Sequence, residues 1–148
     1  MRNSPGFTLI EMLVVVTIIG IVTAIAVPSL LNAIDRSRQS STMADIRTLG
    51  TALERYAFDH HRYPVVDNMA ALRGELEPDY IKKLPLKDGW SHPFVYEVDT
   101  TGSTYTIRSP GKDGEFQPEP LTDVTHDFAA DIVYVDGAFV QQPAGEQE

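Results

Sequence analysis

The chain of 148 residues contains no cysteine. That excludes disulfide staples, thiol nucleophiles and cysteine-ligated zinc. The histidines, His60, His61, His92 and His126, show no zinc spacing. Neither a Gly-x-Ser-x-Gly elbow nor a phosphate-cradling P-loop occurs. Basic residues are scarce in one half. Residues 88–148 hold twelve acids against Arg108 and Lys112 alone, whereas residues 1–87 hold nine acids and ten Lys or Arg. A phosphate backbone needs a basic footprint, so nucleic acid is not the expected partner.

Charge is also nearly missing from the start of the chain. From Phe7 to Leu31 the sequence reads FTLIEMLVVVTIIGIVTAIAVPSLL, with Glu11 as its only charge. Met12 to Leu31 alone is twenty residues, enough for a helix to cross a hydrocarbon core of roughly 30 Å. A carboxylate deep in lipid costs at least ~2.5 kcal/mol, which makes Glu11 a functional candidate. A cleavable secretory signal fits poorly, because the apolar stretch is too long and Ala24-Ile25-Ala26 lies inside it. Arg2 before the span and Arg36 and Arg38 after it leave orientation open by charge alone.

The six residues before Phe7, MRNSPG, are polar and end in Gly6, and Glu11 is the fifth residue after that glycine. Gly6, Phe7 and Glu11, with Gly20 and Pro28 inside the run, resemble the processing and assembly segment of type IV pilins and type II secretion pseudopilins. The resemblance implies cleavage between Gly6 and Phe7 and N-methylation of Phe7. It implies assembly through Phe7, Glu11, Gly20 and Pro28. It divides the chain into a leader (1–6), a transmembrane and assembly helix (7–31) and a periplasmic pilin-like domain (32–148). The absent cysteines shift weight towards the secretion branch, since many type IV major pilins close their C-terminal region with a disulfide.

After Leu31 the pattern becomes amphipathic. Met43, Ile46, Leu49, Leu53 and Tyr56 step by three or four, one face of a helix. The spacing predicts one helix from about Thr8 to about Asp59, roughly 75–80 Å long. Pro28 removes one helical donor and crowds the carbonyl of Ala24, so a kink is expected there. His60-His61-Arg62-Tyr63-Pro64 ends the helix, and residues 69–76 read as a short second one. Strands are expected at 94–98, 105–109 and 131–135, the last running through Asp136-Gly137 into 138–140; Asp-Gly between apolar runs signals a hairpin. The fold class is therefore α+β, a long N-terminal helix packed on a small antiparallel sheet with a C-terminal loop. Residues 88–96, DGWSHPFVY, resemble the major-pseudopilin motif Asp-Pro-Trp-Gly-Asn-Pro-aromatic-x-Tyr, with Gly89, Ser91 and His92 as departures. Trp90 is expected to be clamped by that turn over the core.

Residues 110–130 form a long acidic stretch with little pattern, and a connection of that length is usually functional or disordered. Ser109-Pro110-Gly111-Lys112-Asp113-Gly114 resembles the entry to the calcium loop of major pseudopilins. The resemblance implies calcium held by the carbonyls of Pro110 and Lys112 and by Asp113, with Asp127 and Asp131 as further candidates. Calcium takes 6–8 oxygen ligands in a forgiving geometry. The family carries a close pair of acids before its last strand; here Phe128-Ala129-Ala130 separates Asp127 from Asp131. Two readings stay open, a displaced ligand set or a loop packed through Phe128 without the ion. No catalytic residues are expected. The implied function is a structural, non-enzymatic subunit of a type II secretion pseudopilus. Its implied partners are further copies of itself, minor pseudopilins, the prepilin peptidase and an inner-membrane assembly platform. Its implied location is the inner membrane, with a single pass and a periplasmic C-terminal domain. The alternative is a type IV pilus subunit.

Overall fold

The computed structural model describes residues 6–118, 124–144 and Gln147. Helix α1 spans Leu9–His60 and helix α2 spans Met69–Leu76. Five strands follow: β1 (Val95–Val98), β2 (Tyr105–Ser109), β3 (Val124–Thr125), β4 (Ile132–Val135) and β5 (Ala138–Pro143). The architecture is α+β, and the chain divides into two units, Met1–Ile34 and Asp35–Glu148.

In the first unit α1 is apolar all round. Leu9 is 85% exposed and Ile25 73%, and every large apolar side chain from Phe7 to Ile34 is exposed. The helix is long and apolar enough to cross a membrane. Its helical assignment continues through Pro28, so the missing donor does not end it.

In the second unit the amphipathic stretch of α1 buries Ile46, Leu49, Ala52, Leu53 and Tyr56. These pack with Leu72 and Leu76 of α2 and with Phe94, Tyr96, Tyr105, Ile107, Ile132 and Tyr134 of the sheet region. Each fully buried Leu or Ile contributes about 1.5–3 kcal/mol of transfer free energy. The spacing of three and four puts Ile46, Leu49, Leu53 and Tyr56 on one stripe, as the sequence pattern predicts, and Ala52 joins them. Met43 is only partly buried. Helix α2 is capped by Asn68, whose side chain accepts from the Ala71 N–H at 2.8 Å.

The sheet order is β1-β2-β4-β5-β3. The first four strands pair antiparallel, but β3 pairs parallel with β5 through Val124↔Gln142 and Thr125↔Pro143. The sheet is therefore mixed rather than purely antiparallel. Alternation along β2 sends Tyr105, Ile107 and Ser109 inward and leaves Thr106 and Arg108 half-buried. The β4–β5 turn has Asp136 at φ 45° and Gly137 at φ 89°, the two positive values that a two-residue hairpin turn requires. The Asp136 carboxylate also accepts from the Tyr105 N–H at 2.8 Å.

Candidate functional site

The N-terminal candidates lie on the first turn of α1 and just before it. Thr8 and Glu11 form a capping box. The Thr8 N–H and hydroxyl donate to Glu11 Oε2 at 2.8 and 2.7 Å, and the Glu11 N–H donates to Thr8 Oγ1 at 3.3 Å. Phe7 is 70% exposed. Phe7, Ile10, Val14 and Val15 make a shallow apolar surface beside Glu11. A side chain at Gly6 or Gly20 would meet nothing within 4 Å among the described residues. The fold of the single chain therefore does not explain either glycine.

A second cluster fastens the turn before β1 to α1. The buried Asp88 carboxylate organises this turn, accepting from the N–H groups of Trp90 and His92 at 2.9 Å each and from Ser109 Oγ at 2.7 Å. Gly89 lies directly against the helix and donates to Thr42 Oγ1 at 2.9 Å. A Cβ there would sit 2.3 Å from the Arg38 carbonyl oxygen. Proline, the motif residue at this position, would collide and would lack the N–H. Ser91 takes φ 75°, a left-handed conformation suited to the glycine that the motif carries there. Trp90 is half-buried and is not part of the core, contrary to expectation. Its indole Nε1 donates to Asp35 Oδ1 at 3.1 Å, so it ties the turn to the helix, and Phe94 and Tyr96 fill the core instead. Asp35 is 5% exposed and also receives Lys112 Nζ at 2.8 Å. Burial pushes its carboxyl up, but the hydrogen bonds from Lys112 and Trp90 and the charges of Lys112 and Arg38 hold it below the ordinary value.

The loop after β2 departs from the expected calcium geometry. Asp113 and Asp127 are exposed, and each carboxylate turns back on its own loop. Asp113 accepts from the Glu115 N–H at 3.0 Å and Asp127 from the Ala129 N–H at 2.9 Å. Asp131 is fully buried and faces Arg108, whose Nη2 donates to its Oδ2 at 2.8 Å. Between Pro110 and Lys112, the carbonyl that finds a side-chain partner is that of Gly111, bonded to His92 Nδ1 at 2.8 Å. The Lys112 N–H donates to the carbonyl of Phe128, which is 2% exposed. Among the described residues no three His, Asp or Glu side chains gather around a common point. Asp131 Oδ1 has no hydrogen-bond partner among them. Yet the guanidinium that holds its other oxygen would repel a divalent ion. The described donor set therefore does not fit calcium. Glu119 and Asp123 lie outside the described residues.

The family model for the type II secretion system protein G matches residues 29–127. The chain belongs to that family. A second model, the prokaryotic N-terminal methylation motif, matches residues 1–27. Relatives named type II secretion system core protein G give the same picture. The Pseudomonas aeruginosa protein is 34% identical over 125 residues, covering 77% of this chain and 87% of the relative. The Vibrio cholerae protein is 36% identical over 125 residues, covering 78% and 85%. The Escherichia coli K12 protein is 31% identical over 125 residues, covering 77% and 86%.

Sequence reasoning singled out Asp113, Asp127 and Asp131 and assigned no role to Arg108, Asp35, Asp88 or the Lys112 ammonium. A signal for two of them was present, since an acidic half with only two bases puts those two in demand.

Proposed function

We propose that this member of the protein G family is a structural subunit of a type II secretion pseudopilus, anchored in the inner membrane by the first part of α1 and exposing Asp35–Glu148 to the periplasm. One observation carries the reading: a methylation-motif match over residues 1–27 runs directly into a secretion protein G match over 29–127. The names of the relatives favour secretion over the type IV pilus alternative. The exposed apolar surface from Phe7 to Ile34 supports burial in a membrane first and against neighbouring copies later.

In this reading the prepilin peptidase cuts after Gly6, where the missing side chain suits a narrow site. Cleavage creates a cationic amine at Phe7, which methylation leaves able to carry charge. Glu11 of one copy then meets the Phe7 amine of the next. Leaving either charge alone in the apolar filament interior costs several kcal/mol, so the pair sets axial register. Gly20 and Pro28 fall in the part of α1 packed between copies. The assembly platform and minor pseudopilins are the remaining partners.

The test is made in the native host. Intact-mass measurement on the membrane-extracted protein is expected to find a chain starting at Phe7 and carrying one added methyl group. Gly6→Val is expected to leave it starting at Met1. Glu11→Ala is expected to be cleaved yet to form no filaments by electron microscopy and to stop export. Secretion unaffected by deletion of the gene, or a wild-type chain that keeps Met1, overturns the reading.

A further inference from the structure

Arg108 and Lys112 are the only basic residues from position 88 to the end, against twelve acids. Both reach a buried carboxylate at 2.8 Å, Arg108 at Asp131 and Lys112 at Asp35. We propose that these two side chains are built-in counter-ions that fasten the described parts of this loop, residues 110–118 and 124–131, and that this anchoring needs no divalent cation.

Arg108 does more than neutralise a charge. Its Nη2 also donates to the Gln117 carbonyl at 3.0 Å, while the Gln117 N–H donates to the same Asp131 oxygen at 3.2 Å. The loop backbone is therefore gripped on both sides of Gln117. The Gln141 side chain, 1% exposed, completes the staple. Its Nε2 donates to the Asp131 carbonyl at 2.9 Å and to Gln117 Oε1 at 3.1 Å. Phe116 stacks with the Arg108 guanidinium, 5.2 Å from ring centre to Cζ. The strand register explains why an arginine can serve here. Arg108 lies opposite Val133 on β4, and alternation turns it away from the helix-facing Ile107 and Ser109. It thus projects to the side on which Asp131 enters β4.

Lys112 fastens the other end of the loop. Its N–H bonds the Phe128 carbonyl at 2.9 Å, and its ammonium reaches Asp35 on α1. Gly111 lies so close beneath that a Cβ would sit 2.6 Å from the Ala130 carbonyl oxygen. Two monovalent side chains thus hold the loop to β4, β5 and α1, the work expected of a single ion. A calcium placed on the Asp131 oxygen that has no hydrogen-bond partner among the described residues would stand beside a guanidinium already bound to that carboxylate, while Asp113 and Asp127 are exposed and each accepts an N–H of its own turn.

The test uses the full chain in detergent, with thermal unfolding followed by Trp90 fluorescence. Wild type is expected to melt at the same Tm in millimolar calcium and in chelator. Arg108→Gln strands a buried carboxylate and is expected to lower Tm by about 10 °C or more. Arg108→Lys is expected to lose less, since it keeps the charge without the fork. Adding Asp131→Asn to Arg108→Gln is expected to recover part of the loss, because both charges then leave together. Lys112→Met is expected to cost less than Arg108→Gln, because its ammonium is half-exposed. A wild-type Tm several degrees higher in calcium than in chelator overturns the proposal, as does an Arg108→Gln protein as stable as wild type. Should Arg108→Gln fail to fold, the wild-type comparison and the double variant still decide.

Discussion

Gly89→Ala tests whether the turn before β1 is clamped on the helix as tightly as the coordinates imply. The added Cβ would lie 2.3 Å from the Arg38 oxygen, 2.8 Å from its carbonyl carbon and 2.9 Å from its Cα. All three are backbone atoms of α1, so no side chain can swing away. The turn must withdraw by about 1 Å to restore ordinary contact distances. Withdrawal breaks the bond from the Gly89 N–H to Thr42, whose surroundings are dry at 0% exposure, and stretches the one from Trp90 Nε1 to Asp35. Overpacking costs about 1–3 kcal/mol. Leaving a buried polar group unpaired adds about 1–3 kcal/mol. The sum, about 2–6 kcal/mol, corresponds to a Tm lower by roughly 8–24 °C at about 4 °C per kcal/mol. Trp90 is the only tryptophan, so its emission reports this turn directly and should shift to the red as the indole loses its partner. Gly74→Ala is the matched control. It sits inside α2 with nothing within 4 Å among the described residues, so alanine should gain about 0.5–1 kcal/mol from helix propensity. A Gly89→Ala protein with wild-type emission and a Tm within about 2 °C of wild type would refute the clamp.

Ser91→Gly should raise stability by up to ~1 kcal/mol, because φ 75° strains a side chain by about 1–2 kcal/mol and glycine's extra unfolded freedom offsets part of the relief; calorimetry showing a loss would mean that the serine makes a contact of greater value. The β1–β2 turn is organised by Asp99, which accepts from the Thr101 hydroxyl and from the N–H groups of Thr104, Ser103 and Thr101. The Thr101 hydroxyl, then the Thr104 N–H, hold its carboxyl down at about 2. A depressed carboxyl contributes stability that is full above its unfolded value, near 3.9, and is lost as pH falls towards the folded value. Tm should therefore drop between about pH 4 and pH 2, with Asp35 adding to the fall. Asp99→Asn should lower Tm at pH 7 and flatten part of that acid slope; parallel slopes for variant and wild type would exclude Asp99 as a contributor.

The amino-acid sequence by itself determined the features that rest on short-range geometry. Ile46, Leu49, Leu53 and Tyr56 announced the buried face of α1, because a period of 3.6 residues fixes which side chains share a stripe. Asp136-Gly137 announced the β4–β5 turn, because few residue pairs accept two positive φ values in succession. Residues 69–76 read as a short helix, and α2 spans those same residues, with Asn68 as its cap. The resemblance of Gly6 to Glu11 to an N-terminal methylation motif was equally local, with motif residues at fixed offsets along the chain, and the methylation-motif model matches residues 1–27. Tertiary structure alone decided the rest. Strand β3 is two residues long and exists only because β5 offers an edge for it to pair with in parallel. Trp90 left the core to bond Asp35, which is 55 residues away in sequence. Asp131 was legible as an acid near a candidate ion, but not as the partner of Arg108, 23 residues earlier. Side-chain partners across such distances follow from strand register and from how closely a glycine lets two backbones approach. Neither leaves a periodic trace along the chain, so the charges of the loop could be counted from the sequence and paired only in the fold.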